Sequence, residues 1–125
     1  LGYVKLGQSS TSLSGGEAQR IKLAYFISQG TTKEKILFIF DEPTTGLHFH
    51  DVNKLLSSFN LLIDRGHTIV VVEHNLELIK CADYIIELGP EAGKNGGYLV
   101  GQGSPELISK ISKSNTASYL TKKLI

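Results

Sequence analysis

ILFIFDEP, Ile36 to Pro43, runs an unbroken apolar stretch straight into two acids and a proline. The stretch is too short for a helix and does not alternate, so it reads as a strand buried on both faces, the habit of parallel sheets. TIVVV, Thr68 to Val72, is mostly β-branched and reads the same way. Between the two, Val52, Leu55, Leu56, Phe59, Leu62 and Ile63 recur at helical spacing, with Asp51 as the expected N-cap and Gly66 as the stop. The three make a strand, helix, strand unit.

Outward from this unit the alternation continues. Asn75 is expected to cap a shorter helix to about Ala82, and YIIEL, Tyr84 to Leu88, reads as another strand. From Gly89 to Gly103 six glycines and Pro90 mark turns around a short strand at Tyr98 to Val100, and Ser104-Pro105 opens a helix toward Lys110. The tail from Ser112 is polar and dotted with lysines. The expected fold is α/β, a mainly parallel sheet flanked by helices. No repeat or long linker divides the chain, so residues 1–125 are expected to form one domain.

Composition narrows the function classes. The chain has 125 residues, 41% hydrophobic and 20% charged, as a soluble globular domain does. A formal charge of +1 gives no bulk attraction to polyanions and says nothing of a local patch. Cys81 is the one cysteine, so neither an internal disulfide nor a cysteine zinc cluster is available. No apolar run approaches the roughly 18 residues of a membrane span. A cytoplasmic setting with no membrane is expected. With no methionine and no secretory signal, the chain reads as a piece of a longer protein.

Three stretches carry chemistry. Asp41 and Glu42 stand at the C-terminal end of the first strand, where ligands collect in open α/β sheets. One carboxylate suits a Mg²⁺ shell and the next suits orienting or deprotonating a water; the plain alternative is an ordinary surface pair of acids. In TSLSGGEAQR, Thr11 to Arg20, Ser14 and Glu17 have capping-box spacing, opening a helix with Ala18, Ile21 and Tyr25 as apolar positions. Gly15 and Gly16 fill its first turn, where glycine costs about 1 kcal/mol against alanine. Bare amides at a positive dipole end form an anion site, so phosphate contact and simple capping both stand. His74, after VVVE, could touch a phosphate or cap a turn.

Taken together, LSGGEAQR (Leu13 to Arg20), ILFIFDEP and VVVEH (Val70 to His74) resemble, in that order, the signature, Walker B and switch-histidine motifs of the ABC ATPase superfamily. DEPTTGLHFHD, Asp41 to Asp51, carries Gly-Leu-His where transporter subunits have a Leu-Asp ending. LGPEAGKNGG (Leu88 to Gly97), YVKLGQSSTSLSGGEAQR and TASYLTKKL are similar to the last segment of the UvrA family of nucleotide excision repair proteins. The resemblance implies ATP and Mg²⁺ as cofactors, Asp41 in the metal shell, Glu42 as the water-activating base and His74 at the γ-phosphate. It further implies that Thr44, Thr45 and Gly46 belong to a loop coupling two ATP sites. Ser14, Gly15, Gly16, Glu17 and Gln19 would face the ATP of a partner ATPase domain.

A phosphate loop is absent from the sequence. Its nearest lookalike, GPEAGKN at Gly89 to Asn95, is one residue short between its glycines and has Asn95 where Ser or Thr should stand, so it reads as a turn. By the resemblance the P-loop, the glutamine loop and the zinc modules precede Leu1, and the P-loop strand belongs between Thr68–Val72 and Tyr84–Leu88. The sheet is then incomplete, and either direct pairing across the gap or self-association is expected. Implied partners are the preceding part of the ATPase domain, a second ABC half, a UvrB-like subunit and damaged DNA. His48 and His50 lack further ligands nearby for a metal, and His67 reads as solvated. Lys110, Lys113, Lys122 and Lys123 read as solvated, with DNA phosphate contact as the other possibility. Three functions remain: a segment of a UvrA-like repair ATPase, inactive alone; a transporter nucleotide-binding subunit; and a non-catalytic module lending its signature face to another ATPase.

Overall fold

The computed structural model describes residues 15–91, 93–111 and 113–124. The chain sorts into two compact units, the first ending at Glu73 and the second beginning at His74.

In the first unit, helix α1 (Gly15–Ser28) precedes strand β1 (Leu37–Asp41), helix α2 (Phe49–Asp64) and strand β2 (Thr68–Val72). β1 and β2 pair in parallel from Leu37 opposite Thr68 to Asp41 opposite Val72, the register of a strand, helix, strand crossover. Val52, Leu55, Phe59 and Leu62 form the buried stripe of α2, at the spacing the sequence predicts. They meet Leu23 of α1 and Phe38 and Phe40 of β1, the Phe40 and Phe59 rings lying 4.9 Å apart. Each such side chain contributes about 1.5–3 kcal/mol by leaving water.

The helix stop is as expected in kind. Gly66 takes φ 87°, and the amides of Gly66 and His67 donate to the carbonyls of Ile63 and Leu62, a Schellman ending that a side chain at position 66 would strain. The start is not as expected. His48 holds the N-cap position and Asp51 lies within the first turn, pairing with Lys54 at 2.9 Å. That hydrogen bond holds the Asp51 carboxyl below its ordinary value. The helix begins early because the chain has already turned at Gly46, with φ 75°.

Other corrections concern burial. The strands are covered on one face only: Phe38 and Phe40 are buried, whereas Ile39 is 68% exposed and Leu37, Val70 and Val72 are exposed with it. A continuous apolar run asks for two covers, and the described chain supplies one. On α1 the buried positions are Gly16, Arg20 and Leu23, while Tyr25 of the expected face is exposed. His67 is buried, not solvated, because its Nδ1 accepts the Ile36 amide at 3.2 Å and its ring meets Phe38 edge-on.

The second unit holds α3 (Leu76–Ile79), β3 (Ile85–Gly89), β4 (Tyr98–Gly103), α4 (Pro105–Ile108) and α5 (Ala117–Lys123). Asn75 and Ser104 cap α3 and α4, accepting from the amides of Glu77 and Leu107. β3 and β4 are antiparallel, which corrects the expectation of a mainly parallel sheet: the Pro90–Gly97 connection is too short for a crossover. Within that connection Gly93–Asn95 form a single 3-10 turn. Among the described residues the strands make two separate two-stranded sheets, so β2 does not pair with β3 across the expected gap. β3 instead takes the strand that follows it at small loop-closure cost. The polar tail hides a helix, since Leu120 of α5 is 0% exposed and Ile108 of α4 is equally buried. Glu87 fixes its start, accepting from the Thr116 amide and hydroxyl and from the Ser114 hydroxyl.

Candidate functional site

Asp41 ends β1 and Glu42 follows it, both exposed, and the backbone that carries them is held by hydrogen bonds. The Asp41 amide donates to Gln19 Oε1 at 2.9 Å, and Gln19 Nε2 donates to the Asp41 carbonyl at 2.6 Å. One side-chain amide thus pairs with the strand edge as a neighbouring strand would. The Glu42 amide donates to the Val72 carbonyl at 2.8 Å, while the Glu42 carbonyl accepts from the Thr45 amide at 3.1 Å and the Thr45 hydroxyl at 2.9 Å. Arg20 Nη1 donates to the carbonyls of Pro43 and Thr45 at 2.7 and 3.1 Å. Glu73 Oε1 accepts from the Thr44 amide at 2.8 Å and the Thr44 hydroxyl at 2.6 Å, and the Thr44 carbonyl accepts from the Leu47 amide at 2.9 Å.

Within this frame Glu42 has φ 46°, the one described non-glycine residue at positive φ. For an L-residue this conformation costs on the order of 1–2 kcal/mol, and it persists where the surroundings over-determine it. Strain at a carboxylate that follows a strand covered on one face is a pointer to a functional position.

The two glycines of the α1 start do different jobs. A Cβ on Gly16 would lie 2.8 Å from Arg20 Nη1 and 3.1 Å from the Thr45 carbonyl oxygen, so this bare backbone lets the helix approach the acid-bearing turn of its own chain. Among the described residues, a Cβ on Gly15 would meet nothing within 4 Å. Ser14, and with it the capping box, lies outside the described residues. Glu17 is half-buried in the first turn of α1. Gln19, expected at a nucleotide, has both ends of its side-chain amide engaged by Asp41. Thr44 and Thr45 spend their hydroxyls on the turn, and Gly46 is exposed.

His74 is exposed and opens the second unit. Among the described residues no group of three His, Cys, Asp or Glu side chains is placed to hold a metal, which leaves His48 and His50 as exposed side chains. Two adjacent carboxylates remain an oxygen donor set suited to a hard cation that keeps most of its waters. Lys110, Lys113 and Lys122 are exposed, whereas Lys123 pairs with Glu77. No described helix is long and apolar enough to cross a membrane.

Sequence reasoning missed Arg20 and Glu73. Arg20 is only 4% exposed. A charged residue one helical turn after a glycine, and an acid at the end of a β-branched strand, were the signals available.

No protein-family model matches the chain. It is 58% identical over 124 residues, 99% of its length, to UvrABC system protein A of Clostridium perfringens. It is 60% identical over 124 residues to that of Clostridium acetobutylicum, and 57% over 120 residues to that of Vibrio cholerae. The chain spans 13% of the length of each of these relatives. Among solved structures, UvrA2 from Deinococcus radiodurans superposes with a TM-score of 0.89 at 44% identity, covering 100% of this chain and 15% of that one.

Proposed function

The chain matches a small part of UvrA along nearly its whole length, and from that premise we propose that it is the C-terminal ATPase segment of a UvrA-like protein of nucleotide excision repair. In this reading it is the later part of an incomplete P-loop NTPase domain of the ABC type, cytoplasmic, and inactive without the part that carries the phosphate loop. The observation that carries the reading is the acid-bearing turn: an exposed carboxylate pair with a strained Glu42, held on the backbone from both sides.

Asp41 would hold Mg²⁺ through its water shell, and the bound ion would offset charge on the phosphates of ATP. Glu42 orients and deprotonates the attacking water, and its fixed backbone keeps that carboxylate aimed without reorganisation. His74 meets the terminal phosphate. At the start of α1, Ser14, Gly15 and Glu17 face the nucleotide of a second ABC half. Gly16, Gln19, Thr44, Thr45 and Gly46 shape the turn that links this face to the acids. The wider partners of the reading are the preceding part of the ATPase domain, a UvrB-like subunit and damaged DNA, with zinc held only in the preceding part. Self-association through open strand edges belongs to the same reading.

The identities to UvrABC system protein A favour repair over a transporter subunit. The test is ATP turnover by a full-length UvrA carrying this segment, without DNA and with intact or damaged duplex. Turnover that responds to DNA supports the reading. Turnover indifferent to DNA returns the assignment to transport, and none at all leaves only the non-catalytic module.

A further inference from the structure

Glu73 precedes His74 within VVVEH and is given no role of its own above, yet its carboxylate meets the acid-bearing turn directly. One carboxylate oxygen accepts both the amide and the hydroxyl of Thr44, at 2.8 and 2.6 Å, across 29 residues of sequence. The site is part-buried, where a charge-assisted hydrogen bond is stronger than one in water. We infer that Glu73 is a positioning residue for catalysis: its carboxylate carries the Thr44 turn and thereby holds Glu42 in its strained, productive geometry. The inference rests on the ATPase reading above.

The geometry argues for position over mere stability in three ways. First, Glu73 follows Val72, whose carbonyl already fixes the Glu42 amide at 2.8 Å, so the end of β2 grips the turn at two successive residues. Second, the Thr44 amide is one of the donors that a turn at the end of a strand leaves without a strand partner, and an unmet buried donor relaxes the turn. Third, Thr45 closes back on the Glu42 carbonyl through both amide and hydroxyl, so displacement of Thr44 is transmitted within one residue to the positive-φ position. Gln19 and Arg20 restrain the opposite side from α1, through Asp41, Pro43 and Thr45. With that side held, loss of Glu73 lets the turn pivot and does not release it entirely.

The experiment uses a full-length UvrA carrying this segment, with the catalytic carboxylate of its other ATPase half replaced so that one site is read. Glu73→Ala is expected to lower kcat about tenfold to a hundredfold, the scale of an ångström-sized misplacement, while KM for ATP stays within about twofold. Glu73→Gln keeps an oxygen that accepts both Thr44 donors and is expected to recover most of the rate. Thr44→Val, which removes only the hydroxyl, is expected to fall between them. Hydrogen exchange of the 41–47 peptide should rise in Glu73→Ala and stay low in Glu73→Gln. Unchanged kcat in Glu73→Ala, or equal losses in the Ala and Gln variants with a raised KM, overturns the positioning role and leaves the ATPase reading intact. A parent protein that does not turn over ATP overturns the ATPase reading instead.

Discussion

Replacing Arg20 with leucine is the perturbation that the turn should feel most. Arg20 is 4% exposed, and its Nη1 donates to the Pro43 and Thr45 carbonyls. Hydrogen bonds from a charged donor are worth about 1.5–3 kcal/mol each, and a buried carbonyl stripped of its donor costs about 1–3 kcal/mol. Leucine fills part of the volume and removes the cost of burying a charge, so the net loss is expected at about 3 kcal/mol, roughly a hundredfold in the folding equilibrium. With a urea slope of about 1–3 kcal/mol/M for a chain of this size, the midpoint should drop by about 1–3 M at constant slope. Arg20→Lys keeps a charged donor but on a side chain one atom shorter than the reach to Nη1, which makes both bonds, and should fall between leucine and the parent. A leucine variant whose midpoint moves by less than about 0.3 M would refute the reasoning, because the two carbonyls would then have found water or other donors.

Further outcomes follow from the same frame. Glu42→Gly removes the positive-φ strain and should raise stability by about 1 kcal/mol in a melt while ATP turnover in the full-length protein is lost. Gly16→Ala should destabilise by about 1–3 kcal/mol because its methyl meets Arg20 and Thr45, whereas Gly15→Ala should leave the melt unchanged or slightly improved yet weaken ATP turnover. In the second unit, hydrogen bonds from Lys123 and then Lys80 hold the Glu77 carboxyl below its ordinary value of 4.5. The stabilisation is therefore present above that value and is lost as pH falls through the lower folded value. Hydrogen exchange of α5 should speed up over this acid window, and Glu77→Gln should abolish the pH dependence.

What the sequence made legible was local. The α2 stripe, the Gly66 stop and the Asn75 and Ser104 caps depend on neighbours within a turn, so spacing and residue type sufficed to read them. The α5 helix was hidden because its burial depends on Ile108 and Glu87, earlier in the chain. The exposed faces of β1 and β2 were misread because an apolar run reports that both faces need cover, not whether the chain at hand provides it. The acid pair was visible as a motif, but its support was not. Arg20 reaches across 23 residues and Glu73 across 29 to meet backbone groups, and backbone groups leave no mark in a sequence. Gly16 shows the same limit: a Cβ there would meet Arg20 and the Thr45 carbonyl oxygen, a reason for bare backbone that stands beside the phosphate expectation and that the sequence does not display.

The central functional claim is that Glu42 activates the water that attacks ATP. Its most direct test is single-turnover hydrolysis by a full-length UvrA carrying this segment, with the other half silenced, comparing the parent with Glu42→Gln. The account predicts nucleotide binding within about twofold of the parent and a hydrolysis step slowed by at least about a hundredfold. Hydrolysis at the parental rate with Glu42→Gln in place would contradict it.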